Sequence, residues 1–361
     1  MAKWLKAFGG SMDDWGTCVR QTSDGGYVVS GTTRSGTASG SDVYLLKVDA
    51  QGQQSWARNF GPTLWEHGMQ VQQTKDGGYI VVGRGYNTVS QRYEMLLLKT
   101  DADGNESWAK NLVWRSDADA MGQSVQQTTD GGYIVAGWTW GQAYLVKTDS
   151  MGNTEWWRDF GGSRIESAYS VQQTSDGGYI LAGETESYGA GTSDMYLVQT
   201  DAQGNEEWHK TFGGTSVEIA FSVQQTTDGG YIVAGQTSSF GAYKEGYLVK
   251  TDANGNQEWS KVFGGQGDDF LYCVQQTGDG GYILVGWTQS FGRGEEDVYL
   301  VKTDAGGNRM WYRTFGEYKF DSGWWVQQTS DGGYIITGGT RSYGTGSSDV
   351  ILIKTDAEGR T

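Results

Sequence analysis

The chain contains little cysteine and histidine, with only two of each among 361 residues. His67 and His209 are too few for a histidine-rich metal site, and the two cysteines lack the close spacing of zinc ligands. Asp101–Asn105 has half of a calcium-loop pattern. In the repeats described below, the positions equivalent to Asp103 hold residues of unrelated chemistry: Gln51, Met151, Gln203, Asn254, Gly306 and Glu358. We therefore expect a hairpin there, and neither a metal nor a cofactor.

Long apolar runs and clustered cations are also missing. No stretch of about 18 apolar residues is present, so we expect no membrane insertion. Residues 1–10 lack the apolar core of a signal peptide, which suggests an intracellular protein or a mature domain whose export signal has been removed. The net charge of −16 disfavours nucleic acid and anionic membranes as partners. We expect a monomer.

Familiar catalytic motifs are absent as well. The sequence has no Gly-x-Ser-x-Gly nucleophile elbow and no Gly-Lys-Ser/Thr phosphate loop. Its many Gly-Gly pairs are therefore interpreted as turns. Motifs alone assign no catalytic residue, so the sequence favours a protein that is not an enzyme.

What the chain does have is a repeat. The pattern Val-Gln-Gln-Thr-x-Asp-Gly-Gly-Tyr, with Arg20 replacing the first Gln in one copy, is followed each time by a short apolar run. Its Asp-Gly-Gly-Tyr turns begin at Asp24, Asp76, Asp130, Asp176, Asp228, Asp279 and Asp331. Repeats of this length, each with four short strand signals, are typical of a β-propeller. We predict one seven-bladed all-β domain over residues 1–361, with four-stranded antiparallel blades.

The chain ends predict how the last blade is completed. The sequence begins on a fourth-strand pattern, Lys3–Phe8, and finishes after a third-strand pattern, Asp349–Thr355. Pairing the N-terminal strand with the C-terminal three would complete the blade and cover two sheet edges. A Trp recurs at one fourth-strand position, which indicates packing between blades. Its copies are Trp4, Trp56, Trp108, Trp156, Trp208, Trp259 and Trp311.

The repeat resembles the Asp-Gly-Gly-Tyr propeller repeats of prokaryotic secreted and cell-surface proteins. The resemblance spans the whole chain through three motifs: Phe-Gly-Gly, Gln-Gln-Thr-x-Asp-Gly-Gly-Tyr and Lys-Thr-Asp-Ala-x-Gly-Asn. It implies a propeller fold and an extracellular or cell-surface location. These motifs carry no reaction with them.

Function on a repeat scaffold is expected where the copies differ, because folding already explains the shared positions. Two connections vary, from the fourth strand to the next first strand and from the second strand to the third. We expect both at one face, around the mouth of a central channel. Most irregular tryptophans fall there and predict stacking platforms or an aromatic box: Trp15, Trp65, Trp114, Trp138, Trp140, Trp287, Trp324 and Trp325. Hydrophobic filling of the mouth is the alternative.

Two further positions belong to the predicted site. The residue after the second strand's closing Gly changes in chemistry from repeat to repeat, which favours a pocket lining over a solvent-facing rim: Thr32, Arg84, Trp138, Glu184, Gln236, Trp287 and Gly339. An acid recurs five residues before the repeat's Val: Asp14, Glu66, Glu166, Glu218, Asp269 and Asp321. This ring either accepts backbone hydrogen bonds in the crossing loops or forms an anionic collar. His67 is a candidate ligand contact.

These residues support three classes of function. The leading one is a non-catalytic binding module whose Trp-rich, acidic mouth holds a small polar ligand, with a glycan first and a cationic ligand second. Arg84, Glu184 and Gln236 would supply hydrogen bonds to it. An enzyme that cleaves glycosides is the alternative and needs two facing carboxylates; Glu184 with Glu166 or Glu218 is the candidate pair. The third class is a protein-interaction scaffold.

Overall fold

The computed structural model describes residues 3–36, 40–61, 65–112 and 118–361. These residues form strands and no helix. The strands are β1 (Trp4–Phe8); β2 (Asp14–Gln21), β3 (Tyr27–Thr33), β4 (Asp42–Val48), β5 (Gln54–Phe60); β6 (His67–Gln73), β7 (Tyr79–Asn87), β8 (Arg92–Thr100), β9 (Glu106–Leu112); β10 (Ala120–Gln127), β11 (Tyr133–Thr139), β12 (Gln142–Thr148), β13 (Thr154–Phe160); β14 (Glu166–Gln173), β15 (Tyr179–Thr185), β16 (Asp194–Thr200), β17 (Glu206–Phe212); β18 (Glu218–Gln225), β19 (Tyr231–Thr237), β20 (Glu245–Thr251), β21 (Gln257–Phe263); β22 (Asp269–Gln276), β23 (Tyr282–Thr288), β24 (Asp297–Thr303), β25 (Arg309–Phe315); β26 (Asp321–Gln328), β27 (Tyr334–Thr340) and β28 (Asp349–Thr355).

The strands form seven four-stranded antiparallel sheets, the blades of a seven-bladed β-propeller fold. Six blades follow chain order, and the seventh has the order β1-β28-β27-β26. In that blade Trp4 pairs with Lys354 and Phe8 with Val350. The predicted fold, blade number and N-terminal closure are confirmed.

Two compact units are distinguished within the chain. The first comprises Met1–Gly122, Gly292–Leu300 and Tyr312–Thr361, and the second Gln123–Phe291 and Val301–Trp311. The core of the first includes a cluster that contains Val19, Tyr27, Leu46, Val350 and Leu352. In the second, one cluster contains Ile134, Leu145, Phe160, Leu181 and Tyr196. A single domain over residues 1–361 remains a prediction from the repeat.

The Asp-Gly-Gly turn is built around a buried lysine. Asp24 accepts hydrogen bonds from Thr22 Oγ1 at 2.5 Å and from the Gly26 amide at 2.9 Å, and pairs with Lys47 Nζ at 2.8 Å. Partial burial raises the pKa of Asp24, but these bonds outweigh it and hold the pKa at about 2. Gly25 has φ +82°, and a Cβ on Gly26 would lie 2.4 Å from the Val48 carbonyl oxygen. The turn therefore needs both glycines.

The fourth-strand tryptophans pack against the turn tyrosine of the following blade. Trp4 meets Tyr27 with ring centroids 6.0 Å apart, and Trp56 meets Tyr79 at 5.9 Å. The same edge-on or tilted contact recurs at Trp156–Tyr179, Trp208–Tyr231 and Trp259–Tyr282. These contacts confirm the predicted packing between blades.

Both cysteines are buried and free.

Candidate functional site

Most of the predicted site residues that the structure describes lie where the first strand of a blade begins and its second strand ends; we call this end of the blade the crossing edge. In β2 and β3, Asp14 pairs with Thr33 and Trp15 with Thr32. The register thus places the variable second-strand position opposite the residue that follows the acid. The same pairing holds for His67–Arg84, Ser167–Glu184, Ile219–Gln236, Phe270–Trp287 and Ser322–Gly339.

The recurring acids have a structural role at the crossing edge of their own blades. Glu218 is fully buried and accepts hydrogen bonds from the Gly214 amide at 2.8 Å, from Thr237 Oγ1 at 2.7 Å and from the Ser239 amide at 3.1 Å. It therefore joins the crossing loop to the end of the second strand. Asp14, Glu166 and Asp321 are also fully buried and make the equivalent contacts. The first of the two interpretations of the ring, as acceptors in the crossing loops, agrees with this geometry.

A second acid, which sequence reasoning missed, accompanies the first. A Cβ on Gly213 would lie 2.3 Å from Asp194 Oδ1 and 2.4 Å from Glu218 Oε2, so two carboxylates approach one connector glycine. The same arrangement occurs for the pairs Asp349 with Asp14, Asp42 with Glu66, Glu245 with Asp269, and Asp297 with Asp321. The signal was present in the sequence, because an acid opens each of these third strands.

One of these pairs, Glu245 with Asp269, is poorly compensated. Asp194, Asp297 and Asp349 each accept a loop amide, from Gly191, Gly294 and Gly346. The segment from the loop aromatic residue to the acid, Phe240 to Glu245, is one residue shorter than the equivalent segment from Tyr188 to Asp194. Glu245 Oε2 and Asp269 Oδ1 are buried with no partner among the described residues. Burial, and then the charges of Asp269 and Asp268, raise the pKa of Glu245 to about 7.

We expect this pair to make stability depend on pH. The folded pKa of Glu245 lies above its usual 4.5, so the folded state binds this proton more tightly than the unfolded chain. The stabilisation is complete below about pH 4.5 and is lost as the pH rises through 7, by roughly 2 kcal/mol. Glu245→Gln should remove this loss and be the more stable protein at pH 8.

Urea unfolding of Glu245→Gln and the parent between pH 4 and pH 8 measures the difference. Lys244 is the cation next to Glu245 in the sequence, and its Nζ lies 5.6 Å from the centre of the Phe270 ring. Asp24→Asn is the control of opposite sign, because the pKa of Asp24 is held at about 2 and its charge stabilises the fold at neutral pH. Parallel pH profiles for the parent and Glu245→Gln would contradict the prediction.

The irregular tryptophans have different surroundings. Trp65 and Trp140 are exposed, and Trp140 lies at φ +25° beside Gly141. Trp138 and Trp287 are half-buried. Trp325 packs against two core clusters, each formed between neighbouring blades, and the Arg20 guanidinium lies 4.5 Å from its ring. Packing therefore accounts for Trp325. Trp114 lies outside the described residues.

Trp15 and Trp324 line one cavity of about 460 Å³. Its lining consists of Trp15, Glu296, Phe320, Ser322, Trp324, Gly339, Arg341 and Ser348. Trp324 Nε1 donates a hydrogen bond to Ser322 Oγ at 2.9 Å, which fixes one indole. The cavity combines large aromatic surfaces with a guanidinium, a carboxylate and two hydroxyls, the composition expected of a small-molecule site.

Gly339 is what leaves this cavity open. It occupies the variable second-strand position, and a Cβ there would meet nothing closer than Trp15 Cβ at 3.6 Å. The other six repeats carry a side chain at this position. Trp287 stacks on Phe270 at 4.3 Å, and Arg84 lies 4.8 Å from the Tyr93 ring. In the last blade Gly339 has no side chain, so the space at this position stays open.

A bulge in the first strand projects a further side chain; the sequence predicted Trp324 as a site residue, and it missed the other aromatic residues at this position. The register shifts between Ala168 and Ser170 and between Gly323 and Trp325, so Tyr169 and Trp324 are bulged residues. Aromatic residues at this position touch one another in neighbouring blades: Tyr169 with Phe221 at 5.5 Å, and Phe221 with Tyr272 at 5.0 Å. Counting the third residue after each acid would have found them.

The candidate carboxylates for glycoside cleavage are held apart. Glu184 pairs in register with Ser167, and Glu166 with Thr185, so their side chains leave opposite faces of the sheet. Glu184 accepts hydrogen bonds from Tyr169 Oη at 2.7 Å and from Ser193 Oγ at 3.2 Å. Glu218 is fully buried in its own loop. The pairs named from the sequence therefore do not face each other across an open site.

The remaining predicted contacts are partly or fully enclosed. His67 lies 3.3 Å from Thr32 Oγ1 and 3.5 Å from Ser41 Oγ. Burial, and then the charges of Arg84 and Arg34, lower the pKa of His67 to about 4, so its imidazole is neutral at pH 7. Burial also lowers the pKa of Arg84. Gln236 is buried, and its Oε1 has no partner among the described residues.

The described residues show no sign of a membrane-spanning helix or of a metal centre. No helix there has the length and apolarity needed to cross a bilayer. No group of three or more His, Cys, Asp or Glu side chains is placed to hold a metal ion.

The fold is similar to that of three solved structures. The Neurospora crassa Pan2 WD40 domain is similar with a TM-score of 0.55 and 11% identity, covering 98% of this chain and 100% of that chain. The β-propeller domain of the Trilobed protease from Pyrococcus furiosus, which has an open velcro topology, is similar with a TM-score of 0.53 and 9% identity, covering 96% of each chain. YCF48 bound to D1 peptide is similar with a TM-score of 0.54 and 11% identity, covering 98% of this chain and 94% of that chain.

The protein is thus a seven-bladed β-propeller by fold class. No protein-family model matches the sequence, and the search of curated proteins found no match. Membership of the Asp-Gly-Gly-Tyr repeat family remains a prediction.

Proposed function

We propose that this propeller is a non-catalytic binding module, and that the cavity between Trp15 and Trp324 holds a small polar ligand, with a glycan as the first candidate. Gly339 carries the proposal, because it opens space at a position that a side chain fills elsewhere. Indole faces suit the apolar face of a sugar ring, and hydroxyl and charged groups suit its oxygens. An extracellular or cell-surface location, predicted from the resemblance, would give access to such ligands.

Filling the cavity should abolish binding. Gly339→Trp places an indole where Trp138 and Trp287 stand in other blades, so the fold should tolerate it. Gly339→Ala is the matched control, because its Cβ has room. We expect affinity for any glycan bound by the parent to fall by at least about a hundredfold in Gly339→Trp, since the ligand loses its space. The fall in Gly339→Ala should be under about threefold.

A glycan array followed by titration with tryptophan fluorescence measures these affinities. Thermal melting of both variants verifies the fold. If a glycan binds Gly339→Trp as tightly as the parent, this cavity is not its site. If no glycan on the array binds the parent, the glycan proposal fails.

A protein-interaction scaffold is the second candidate, and Trp140 supports it. Its side chain is 74% exposed at a backbone conformation that bulky residues rarely adopt, and Ile165 beside Gly141 is 52% exposed. Exposed apolar groups of this kind suit a docked peptide. The similarity in fold to YCF48 bound to D1 peptide is compatible with this candidate.

Glycoside cleavage is the weaker candidate. It would require two carboxyl groups roughly 5 to 9.5 Å apart with the bond between them. The sheet separates Glu184 from Glu166, and hydrogen bonds engage Glu218 in its loop.

A further inference from the structure

Arg341 gives the cavity a positive group that the protein does not neutralise. Its side chain is exposed, lines the cavity, and lies with its guanidinium 5.2 Å from the Phe320 ring centroid. Among the described residues, no carboxylate oxygen lies close enough to the Arg341 guanidinium to form an ion pair with it. By contrast Arg34, at the crossing edge of the first blade, pairs with Asp13 at 3.4 Å.

This cation stands in an acidic protein. The chain has 43 acidic and 27 basic residues, so an arginine that is not paired with a carboxylate beside a cavity is informative about the ligand. The Phe320 ring supports the guanidinium and leaves its N–H donors available to a group in the cavity. A guanidinium binds a carboxylate through two parallel hydrogen bonds, which neutral hydroxyls cannot match.

The other lining groups set the orientation of such a ligand. Glu296 lines the same cavity without forming an ion pair with Arg341, so the cavity has one positive and one negative side group. The charges of these two groups favour a carboxylate near Arg341 and disfavour it near Glu296. The Ser322 hydroxyl accepts from Trp324 Nε1 and still has its own proton to donate.

We propose that the ligand of this cavity is an acidic sugar, whose carboxylate binds Arg341 while its ring stacks on Trp15 or Trp324. This rests on the proposed binding function and names its ligand class. It also disfavours the cationic ligand, the second choice for the Trp-rich, acidic mouth, because Arg341 would repel it.

A matched pair of sugars tests the proposal. Cellobiose and its uronic acid, in which the terminal hydroxymethyl group is oxidised to a carboxylate, differ in one charged group. The protein is titrated with each of these two sugars separately, and it is also screened against an array of similar pairs of neutral sugars and uronic acids. We expect the parent to bind the acid about tenfold tighter or more than its neutral counterpart, as a charged hydrogen-bonded pair contributes. Added salt should reduce that ratio.

Variants assign the preference to Arg341. Arg341→Gln should lose the preference for the acid and keep the affinity for the neutral sugar. Arg158→Gln is the control, because Arg158 lies 5.3 Å from the Trp156 ring in a similar cation–π contact on a fourth strand. It should change neither affinity.

The outcomes separate the two proposals. Neutral and acidic sugars that bind equally well, with binding lost in Gly339→Trp, would overturn the acidic ligand and leave the binding function standing. A preference for the acid that survives Arg341→Gln would also overturn it. No binding by any sugar of the array would overturn both.

Discussion

Deleting residues 1–8 is expected to destabilise the protein by more than about 5 kcal/mol, a large part of the stability of a typical domain. The deletion removes the whole of β1, which pairs with β28 from Trp4–Lys354 to Phe8–Val350. It also removes Trp4 and Phe8, which pack against the buried cluster of Val19 and Leu352. Losing a large aromatic side chain from a core costs about 3 to 5 kcal/mol. The edge of β28 would also be exposed to pairing with other chains.

Thermal melting by circular dichroism measures this loss. We expect the melting temperature to fall by more than about 10 °C, with aggregation on heating. Lys3→Ala is the control, because it removes only the exposed ion pair with Asp356, at 3.2 Å, and should cost under about 1 kcal/mol. A truncated protein that melts with the parent would show that β1 does not close the ring.

The sequence predicts the fold well because the repeated residues form each blade locally. Asp24, Gly25 and Gly26 define a turn by their own chemistry, and Lys47 completes it from the same blade. The same residues recur at fixed spacing, so the strand order follows from the repeat. Closure by β1 follows from the end patterns alone.

The site is harder to predict because it depends on what a side chain does not fill. Gly339 looks like one more variant of a changing position, and only the cavity beside it shows its effect. Trp324 and Trp325 are adjacent and identical in sequence, yet the bulge projects the first towards the cavity while the second packs against the core. A one-residue irregularity of register cannot be inferred from composition.

Charges follow the same division. The recurring acids such as Glu218 are predictable as acceptors, because a shared position implies a shared structural contact. The mismatch at Glu245 is a matter of loop length, which decides whether amides reach the carboxylate. Arg341 gains its interest from the pairing it lacks, and this requires the surrounding geometry.

A second large effect is expected from Asp331→Ala, at about 3 to 5 kcal/mol, because it leaves a buried charge without its partner. Lys354 is 2% exposed, and its Nζ bonds to Asp331 Oδ1 at 3.0 Å and to the Thr355 carbonyl oxygen at 2.9 Å. Asp331 also accepts from Thr329 Oγ1 and the Gly333 amide. Burial raises the pKa of Asp331, but these bonds lower it by more, so the pKa lies below its usual value. The charge of Asp331 therefore stabilises the fold at neutral pH, and this stabilisation is lost at acid pH.

The matched control is Asp228→Ala in another blade. There Lys250 keeps a second carboxylate, Glu258, at 3.1 Å, so the cost should be smaller by about 1 to 3 kcal/mol. The double variant Asp331→Ala with Lys354→Met should recover most of the loss, because an apolar chain of similar length fills the space without a charge. Chemical unfolding at pH 7 gives all these values. Equal losses for Asp331→Ala and Asp228→Ala, or no recovery in the double variant, would mean that the turn geometry and not the lysine charge determines the cost.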